Sequence, residues 1–305
     1  MSLYYPLLQW GNGRSDRAAH GGIEWSVTGL GRENGVNIGF VGMGSIGQML
    51  VTSLVQAGAV PPASVFASNR SQEKLKRFAA SVPGIHAAAD NKHLVQQCPV
   101  VFLCVKPGET KAVLDDAGPY ITADHLLVTV TNTIDIAALE QVVPARVAKV
   151  IPSLVHAVGG GVSLLIFGCR CTQEDRALLL RLFGSISRPE VILESQARVA
   201  SDLTSCGPAF LSYVFRAMAQ AARHYQPDLS PETVDMMIRL TALATCRLIE
   251  QTGITFDEIV ARVSTPGGVT ADGIKVLDEH LAGVWEEVIE TTIRKEETKK
   301  AKVKL

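Results

Sequence analysis

The sequence lacks a surplus of charge of either sign. Its 305 residues carry 29 Lys and Arg against 30 Asp and Glu, which gives a net charge of −1. Without a basic field there is little to attract a polyanion, so we expect no nucleic-acid partner. The basic residues near the C-terminus are interpreted as a solvated helix end rather than a binding arm.

Long apolar runs are missing as well. No stretch reaches the roughly 18 apolar residues of a membrane span, and the N-terminus lacks the apolar core of a signal peptide. Hydrophobic residues nevertheless make up 47% of the chain and charged residues only 19%. The composition predicts a globular protein with a large core, no membrane partner and a cytoplasmic location.

The cysteines follow no metal-binding or disulfide pattern. The chain has six, none of them in a C-x-x-C motif, and no cluster of histidines accompanies them. We therefore expect no metal. Free cysteines in apolar runs, such as Cys98 and Cys104, behave as small hydrophobic residues, which fits a reducing compartment.

Residues 1–35 differ from the rest of the chain. They are rich in glycine and their apolar residues have no regular spacing. Because such a segment has little to bury, we predict a disordered N-terminal extension without a functional role. It is either a disordered arm or upstream sequence that follows a misplaced start, and a compact domain begins at Val36.

A glycine-rich turn follows the first apolar run of this domain. Residues 38–41 predict a short buried strand, and the next residues have the spacing G-x-G-x-x-G ahead of a helix that ends near Gly58. Gly42 permits the tight turn, Gly44 lets a pyrophosphate approach the backbone, and Gly47 lets strand and helix pack closely. The helix N-terminus adds free N–H groups and a positive dipole end. The predicted cofactor-binding turn comprises Gly42, Met43, Gly44, Ser45, Ile46 and Gly47.

The end of the next predicted strand, residues 64–67, identifies the cofactor more closely. NAD sites place Asp or Glu there to hold the ribose hydroxyls, whereas this chain has no carboxylate at that place. An arginine beside small polar donors suits a 2′-phosphate, so the sequence favours NADP, as NADPH, and leaves NAD as the alternative. A glycine-rich turn in some other α/β protein would not explain Arg70. We predict that the cofactor is bound by Ser68, Asn69, Arg70 and Ser71.

Strands and helices alternate from Val36 to about Glu194. The run 100–105 is apolar on both faces, which is typical of a central parallel strand. Alternation of this kind predicts right-handed βαβ units in a Rossmann-type, doubly wound parallel sheet, the fold class α/β. The predicted strands are 38–41, 64–67, 100–105, 126–131, 146–151 and 162–167, with helices such as 71–80 and 172–185 between them.

From residue 195 the sequence turns helical. Residues 208–224 are apolar on nearly every side, which indicates a core helix or a subunit interface. Ser230 as N-cap and Gly253 as stop delimit the next helix. We predict an NADP-binding Rossmann domain over 36–194 and an all-helical substrate and dimerisation domain over 195–305, in a homodimer or larger homo-oligomer.

Two loops of the helical half carry small polar residues just before predicted helices, at 205–209 and 264–270. In the second, converging N–H groups and the hydroxyls of Ser264, Thr265 and Thr270 suit a small carboxylate. An ordinary Pro-Gly turn capped by Thr270 explains the same residues. The nucleotide domain lacks substrate groups of its own, and this favours the carboxylate site because a hydride acceptor must bind somewhere.

Taken together, these motifs resemble those of pyrroline-5-carboxylate reductase. The matching segments, in order, are 39–47, 68–70, 105–107, 158–162, 207–210 and 266–270. Their order and spacing are far more specific than any one of them. The resemblance covers residues 36–282 and implies NAD(P)H-dependent reduction of a small cyclic imino acid, 1-pyrroline-5-carboxylate, to proline. It also implies a Rossmann domain followed by a helical domain that interlocks with its twin.

The resemblance also implies residue roles. The loop from Gly267 to Thr270 would hold the substrate carboxylate, with the Thr270 hydroxyl facing the ring nitrogen as the catalytic group. The remaining predicted substrate-binding residues are Ser264, Thr265, Gly267, Gly268, Val269 and Cys206. The cofactor near its nicotinamide ribose would be lined by Val105, Lys106 and Pro107, with Lys106 as a lining rather than a catalytic residue.

Two loops depart from the family pattern. Where the family reads Met-Pro-Asn-Thr-Pro, this chain has Ile-Pro-Ser-Leu-Val at 151–155, followed by His156. Where the family reads Ser-Gly-Ser-Gly-Pro, it has Thr-Ser-Cys-Gly-Pro at 204–208. These residues look most like the ComER-type branch, reductase-like proteins of bacterial late-competence gene clusters. Two functions stay open: an active reductase, or a regulatory paralogue that binds NADP with weak or no turnover.

Two further side chains near these loops have competing interpretations. His156 is either a catalytic acid or a loop histidine, and the second is favoured because hydride addition to a protonated imine needs no further acid. Cys206 as a nucleophile has no evident basic partner, and hydride transfer does not need one.

Overall fold

The structure is a computed structural model that describes residues 36–303 and 305. The predicted disordered extension over 1–35 lies outside the described residues. From Val36 the chain forms an eight-stranded sheet in the order β3-β2-β1-β4-β5-β6-β7-β8. The strands are β1 Ile38–Val41, β2 Val65–Ser68, β3 His86–Ala87, β4 Val100–Leu103, β5 Leu126–Thr129, β6 Arg146–Ile151, β7 Val162–Phe167 and β8 Arg188–Val191.

The strands are parallel except where β7 runs antiparallel to β6. Six strands fall where the sequence predicted them, three with ends shifted by one or two residues. The prediction of a Rossmann-type sheet is confirmed, and β7 is its one departure from parallel pairing among the described residues. The departure arises because β6 and β7 are joined by one short loop with a 3-10 turn over Leu154–Val158 rather than by a crossover helix.

Helices cover both faces of the sheet, as its apolar strands require. Alternate residues of one strand enter opposite cores: Phe40 packs in one cluster and Val41 in the other. The stacked rings of Phe40 and Phe102 lie 4.9 Å apart at the centre of the first. The helices in this half are α1 Ser45–Gln56, α2 Gln72–Ser81, α3 Asn91–Gln97, α4 Thr110–Ala117, α5 Ile136–Val142 and α6 Gln173–Gly184.

A buried ion pair lies on one of the central strands. Lys149 of β6 is 0% exposed, and its Nζ lies 2.5 Å from Oε1 of Glu194. The same carboxylate oxygen accepts the backbone N–H of Ile136 at 3.0 Å. Burial lowers the pKa of Lys149, and the bond to Glu194 opposes that shift. Glu194 thus stabilises both a buried cation and the first N–H of α5.

The remainder of the chain is helical, as predicted. Its helices are α7 Ala197–Thr204, α8 Gly207–Tyr225, α9 Pro231–Thr252, α10 Phe256–Val263, α11 Val269–Leu281 and α12 Val284–Lys300. The apolar helix predicted at 208–224 is α8, and large apolar side chains such as Tyr213 and Met218 remain exposed on it. A core position within one chain is therefore excluded for that face. None of the described helices is long and apolar enough to cross a membrane.

The C-terminal helix α12 is held to the rest of the chain by charges. Glu296 is buried and accepts hydrogen bonds from Arg198 Nη1 and Asn132 Nδ2, both at 2.8 Å. Arg198 also pairs with Asp202 at 2.6 Å, and Lys300 pairs with Asp135 at 2.7 Å. The interpretation of the basic C-terminal residues as a purely solvated end is therefore wrong for Lys300. We call these contacts the α12 clasp.

Candidate functional site

An open cleft lies at the carboxyl ends of β1, β2 and β4, where parallel sheets commonly bind ligands. Its volume is about 700 Å³, and its lining includes Gly42, Met43, Gly44 and the segment 68–71. Gly42 has φ of +97°, and a Cβ there would lie 2.7 Å from the Val105 side chain. Only glycine fits this turn. The tight turn that lines the cleft therefore depends on the first glycine of the motif.

The next glycine leaves the backbone accessible. A Cβ added at Gly44 would meet nothing within 4 Å. Gly44 lines the cleft as the N-cap of α1, and the first N–H groups of a helix have no partner within the helix. Ser45, Ile46 and Gly47 form the first turn of α1 and do not line the cleft. The arrangement suits a pyrophosphate bound by backbone N–H groups and the helix dipole.

Most polar side chains after β2 hold the loop itself. The Asn69 amide accepts the N–H of Met43 at 3.2 Å and donates to the Ser71 carbonyl at 3.1 Å. Ser71 caps α2, and Ser68 Oγ donates to Asn91 Oδ1 at 2.7 Å. Arg70 differs from them, since its side chain is 92% exposed and reaches Glu109 at 3.3 Å. Of the four residues predicted to bind the cofactor here, Arg70 is the one whose side chain extends into open space.

The other wall of the cleft comes from the segment after β4. Val105 and Lys106 line it, as predicted for residues near the cofactor. Pro107 itself does not line the cleft. It starts a 3-10 turn over Pro107–Glu109 that leads into α4. The turn directs Glu109 toward Arg70.

A further group of residues lines the cleft and was not predicted. Asn91 lies between Ser68 and Asp116, whose Oδ2 accepts from Asn91 Nδ2 at 3.5 Å. The cleft residues not predicted to bind the cofactor are Val41, Gln72, Lys74, Ala89, Asp90, Asn91, Cys104, Glu109, Ala112, Val113 and Asp116. Asp90 is the N-cap of α3, and that capping signal was the one available clue.

His156 lies buried in the 3-10 turn after β6, against α1. Its Nδ1 lies 2.9 Å from the Gly160 carbonyl, which can only accept, so Nδ1 donates. Nε2 then accepts the hydroxyl of Ser163 at 2.9 Å. Burial lowers the pKa of His156, which keeps the ring neutral. These contacts support the loop interpretation over a catalytic acid.

We predict that His156→Leu lowers the free energy of unfolding by about 1–3 kcal/mol at neutral pH, because the Gly160 carbonyl and the buried Ser163 hydroxyl each lose a bond. Because the pKa of His156 is lower in the folded chain than in the unfolded chain, the unfolded chain takes up the proton at a higher pH. The native protein should therefore lose stability as the pH falls below about 6.5, and the variant should lose less. Urea unfolding at both pH values measures this, with exposed His93→Leu as control. Equal pH slopes in native protein and variant would contradict it.

The two loops that depart from the family pattern touch each other. Ser153 is 1% exposed, and its Oγ donates to the Thr204 carbonyl at 2.8 Å. Cys206 Sγ accepts from Arg198 Nη2 at 3.4 Å, which ties it to the α12 clasp. Leu154, in contrast, is 73% exposed. The changes at Ser153 and Cys206 are therefore part of one packed region, whereas Leu154 presents an apolar side chain to solvent.

The predicted carboxylate loop forms a turn between α10 and α11. Gly267 has φ of +76°, which favours glycine. Gly268 is the N-cap of α11 and makes no side-chain capping bond. The ordinary-turn alternative required Thr270 as the cap, and Thr270 instead lies inside the first turn of the helix. Thr270 is therefore not the cap, and the carboxylate site at this loop stays a prediction.

The structure does not bring this loop to the cleft within one chain. None of Ser264, Thr265, Gly267, Gly268, Val269 and Thr270 lines the cleft around Gly42. Val269 is 91% exposed, and α11 packs on α12 rather than on the sheet. Cys206 lies with Arg198 in the α12 clasp. The predicted substrate residues thus fall in two places.

Comparison with known proteins covers both halves of the chain. The family described as "NADP oxidoreductase coenzyme F420-dependent" matches residues 37–133, and "Pyrroline-5-carboxylate reductase dimerisation" matches residues 194–299. The first match contains the cleft, and the second contains the helical half.

Individual relatives extend over most of the chain. ComE operon protein 4 of Bacillus subtilis (strain 168) is 33% identical over 262 residues, 86% of this chain and 96% of that protein. Pyrroline-5-carboxylate reductase 3 of Bos taurus is 31% identical over 244 residues, 79% of this chain and 78% of that protein. The predicted likeness to the ComER-type branch is confirmed by the first of these.

Solved structures share the fold. Pyrroline carboxylate reductase of Plasmodium falciparum, crystallised with NADP bound, superposes with a TM-score of 0.76 at 20% identity and covers 87% of this chain and 97% of its own. The enzyme of Streptococcus pyogenes gives 0.77 at 20% identity, with 86% and 98% covered. At this identity the likeness is one of architecture alone.

Proposed function

Because the chain belongs to the pyrroline-5-carboxylate reductase family, we propose that it is an NADPH-dependent reductase of a small cyclic imino acid. The proposed substrate is 1-pyrroline-5-carboxylate and the product is proline, a step of proline biosynthesis. One observation carries the cofactor assignment: the open backbone at Gly44 and the exposed Arg70 lie in the same cleft. They offer one site for a pyrophosphate and one for a 2′-phosphate.

The protein's own residues bind and orient. The N–H groups of the first turn of α1 would hold the pyrophosphate, and the Arg70 guanidinium would pair with the 2′-phosphate. Val105 and Lys106 would line the far end of the cleft. NADPH supplies the hydride when bound, so the chain needs no nucleophile of its own, and the free thiol of Cys206 plays no part in the step.

A second function has specific support. The similarity to ComE operon protein 4 and the residues Ser153, Leu154 and Cys206 favour a regulatory paralogue that binds NADP with weak or no turnover. Leu154 exposes an apolar side chain where the family pattern has threonine. A changed loop that packs on α1 can keep cofactor binding and lose the reaction.

An NADPH-oxidation assay with 1-pyrroline-5-carboxylate and a panel of cyclic imines separates the two. Turnover supports the reductase. NADPH binding together with binding of a proline analogue, but without turnover, supports the regulatory function. In that case Ser153→Asn with Leu154→Thr should restore activity if these residues are the cause. Leu154→Thr alone is the milder variant, because Ser153 is buried and its hydroxyl is bonded to Thr204.

We propose that the substrate carboxylate binds at Gly267 and Gly268, and that Thr270 bonds the ring nitrogen. The uncapped start of α11 supports this placement. Because the loop does not line the cleft of its own chain, we propose that it completes the cleft of a second copy. We propose a domain boundary near residue 194. It separates the half that binds the cofactor from the helical half whose loop completes the cleft of the second copy.

We predict that Thr270→Val weakens binding of a proline analogue by about 1–3 kcal/mol, since a polar ligand group loses its partner. NADPH binding should not change, because Thr270 belongs to the substrate side. Calorimetry with each ligand measures both effects, and exposed Thr298→Val on α12 is the control. Undiminished binding of the proline analogue to the variant would count against Thr270.

The exposed apolar faces support a homodimer or larger homo-oligomer. Large apolar side chains on α8 to α11 are open to solvent in the single chain, such as Leu240, Phe256 and Val263. Monomers seldom expose so extended an apolar surface, and self-association covers it. Six free cysteine thiols support a reducing compartment; we propose the cytoplasm.

We predict that the native chain is dimeric or larger in light scattering and that Leu240→Glu shifts it toward monomer. A buried carboxylate at an apolar interface costs several kcal/mol unless it is paired. Val142→Glu is the control, because Val142 is similarly exposed but lies at the end of α5 in the sheet half. A folded native monomer at low concentration would refute the assembly.

A further inference from the structure

An ion pair crosses the mouth of the candidate cofactor cleft. Arg70 follows β2 and Glu109 follows β4, with Nη1 and Oε1 3.3 Å apart. In the sheet order β2-β1-β4, β1 lies between these strands. The pair therefore joins the loops on either side of the Gly42 turn.

Glu109 is held in place by its own turn. Its second carboxylate oxygen, Oε2, accepts the backbone N–H of Lys106 at 3.4 Å. Its side chain is 43% exposed, against 92% for Arg70. The carboxylate is thus the fixed partner of the pair and the guanidinium the freely extended one.

We propose that Glu109 sets the preference between NADPH and NADH by holding Arg70. This inference rests on the proposed function, in which Arg70 meets the 2′-phosphate. A 2′-phosphate must take the guanidinium from Glu109 or share it, and the carboxylate nearby repels the added charge. NADH carries no such phosphate and leaves the pair intact.

The end of β2 has no carboxylate, but Glu109 brings one to the cleft from the turn after β4. NAD sites use Asp or Glu after the second strand to bind the ribose hydroxyls, and this chain has none there. Glu109 brings a carboxylate to Arg70 from the turn after β4 instead. Among the described cleft residues, Asp90 and Asp116 are the other carboxylates, and they serve as a helix cap and as partner of Asn91 and Lys92.

The expected effect is modest, because both side chains are partly exposed and ion pairs of this kind are weak. Glu109→Gln keeps the size of the side chain and removes its charge. At low ionic strength it should tighten NADPH binding roughly two- to fivefold relative to NADH. The gain should shrink as salt screens the charges, since the Debye length falls from about 10 Å at 0.1 M to about 3 Å at 1 M.

Calorimetric titration of NADPH and NADH into the full chain tests this. Four proteins are needed: the native chain, Glu109→Gln, Arg70→Ala and the double variant. Glu73→Gln is the control, because Glu73 pairs with Arg77 on α2 and does not line the cleft. We expect the ratio of the NADH to the NADPH dissociation constant to rise in Glu109→Gln and to stay unchanged in Glu73→Gln. The difference between the double variant and Arg70→Ala should be smaller than that between Glu109→Gln and the native chain.

Each other outcome decides against the inference. An unchanged or lower ratio in Glu109→Gln would overturn it, and so would the same gain with and without Arg70, since Glu109 would then act independently of the arginine. If the native chain binds NADPH but Glu109→Gln has no effect, this inference alone fails. If the native chain binds neither cofactor, the proposed function fails and the inference fails with it.

Discussion

Glu194→Ala is expected to lower the free energy of unfolding by about 3 kcal/mol. The substitution leaves Lys149, which is 0% exposed, without its carboxylate, and leaves the N–H of Ile136 without an acceptor. Breaking a buried ion pair by removing one partner typically costs about 3–5 kcal/mol. The low end applies here because Glu194 is itself 31% exposed and Lys149 can lose its proton. Denaturant unfolding measures the difference.

The pH dependence of this variant gives a second test. The folded-state pKa of Lys149 lies below its usual value, so the cost of its buried charge is fully present below that pKa. The cost is lost as the pH rises toward about 10.4, the usual pKa of lysine. The deficit of Glu194→Ala should therefore shrink at alkaline pH. Glu190→Ala, which removes the exposed partner of Arg188 on β8, should be neutral. A deficit of the same size in both variants would mean that burial of Lys149 has no part in it.

Arg70→Ala is expected to weaken NADPH binding roughly 10- to 150-fold and to leave NADH binding nearly unchanged. A charge-assisted bond between guanidinium and phosphate contributes about 1.5–3 kcal/mol to binding. NADH has no 2′-phosphate and cannot make this bond, so the substitution should not affect its affinity. The variant also leaves Glu109 without its cation, which adds repulsion toward NADPH alone. Direct titration with each cofactor gives both constants.

Arg77→Ala serves as the matched control, because Arg77 is also an exposed arginine with a glutamate partner but lies outside the cleft. It should bind both cofactors as the native chain does. An equal loss of NADPH and NADH affinity in Arg70→Ala would show that Arg70 contacts a part shared by both cofactors. Equal affinity of the native chain for the two cofactors would remove the basis for assigning NADP.

The sheet could be predicted because its central strands are apolar on both faces and each is followed by a clear turn. β3 and β8 could not be predicted, for two different reasons. His86–Ala87 is only two residues long, and Arg188–Val191 reads Arg-Pro-Glu-Val, which has little β-propensity and is typical of an edge strand. In the described sheet, each edge strand pairs with one neighbour only, β3 with β2 and β8 with β7, so its own residues need carry little β-signal.

The candidate site also has a part that could be predicted from the sequence and a part that could not. The Gly42 turn and Arg70 depend on local backbone geometry, so a short motif indicates them. Asn91 at the start of α3, Glu109 in the turn after β4 and Asp116 in α4 reach the cleft from separate elements, and only the folded sheet brings them beside Arg70. The loop from Gly267 to Thr270 was predicted as a binding turn, but its distance from the cleft in one chain depends on the packing of α10 to α12, which no local pattern encodes.

The α12 clasp has a consequence for biosynthesis. Arg198 and Glu296 are 98 residues apart, and Asn132 and Glu296 are 164 residues apart. Because a ribosome delivers the N-terminal half first, the sheet can fold while Arg198 and Asn132 still lack this shared acceptor. A translation product cut short before Glu296 would keep a formed nucleotide cleft and an incompletely paired arginine together. Unfinished molecules would therefore differ from finished ones in local stability beside α7, where quality-control proteases could act on them.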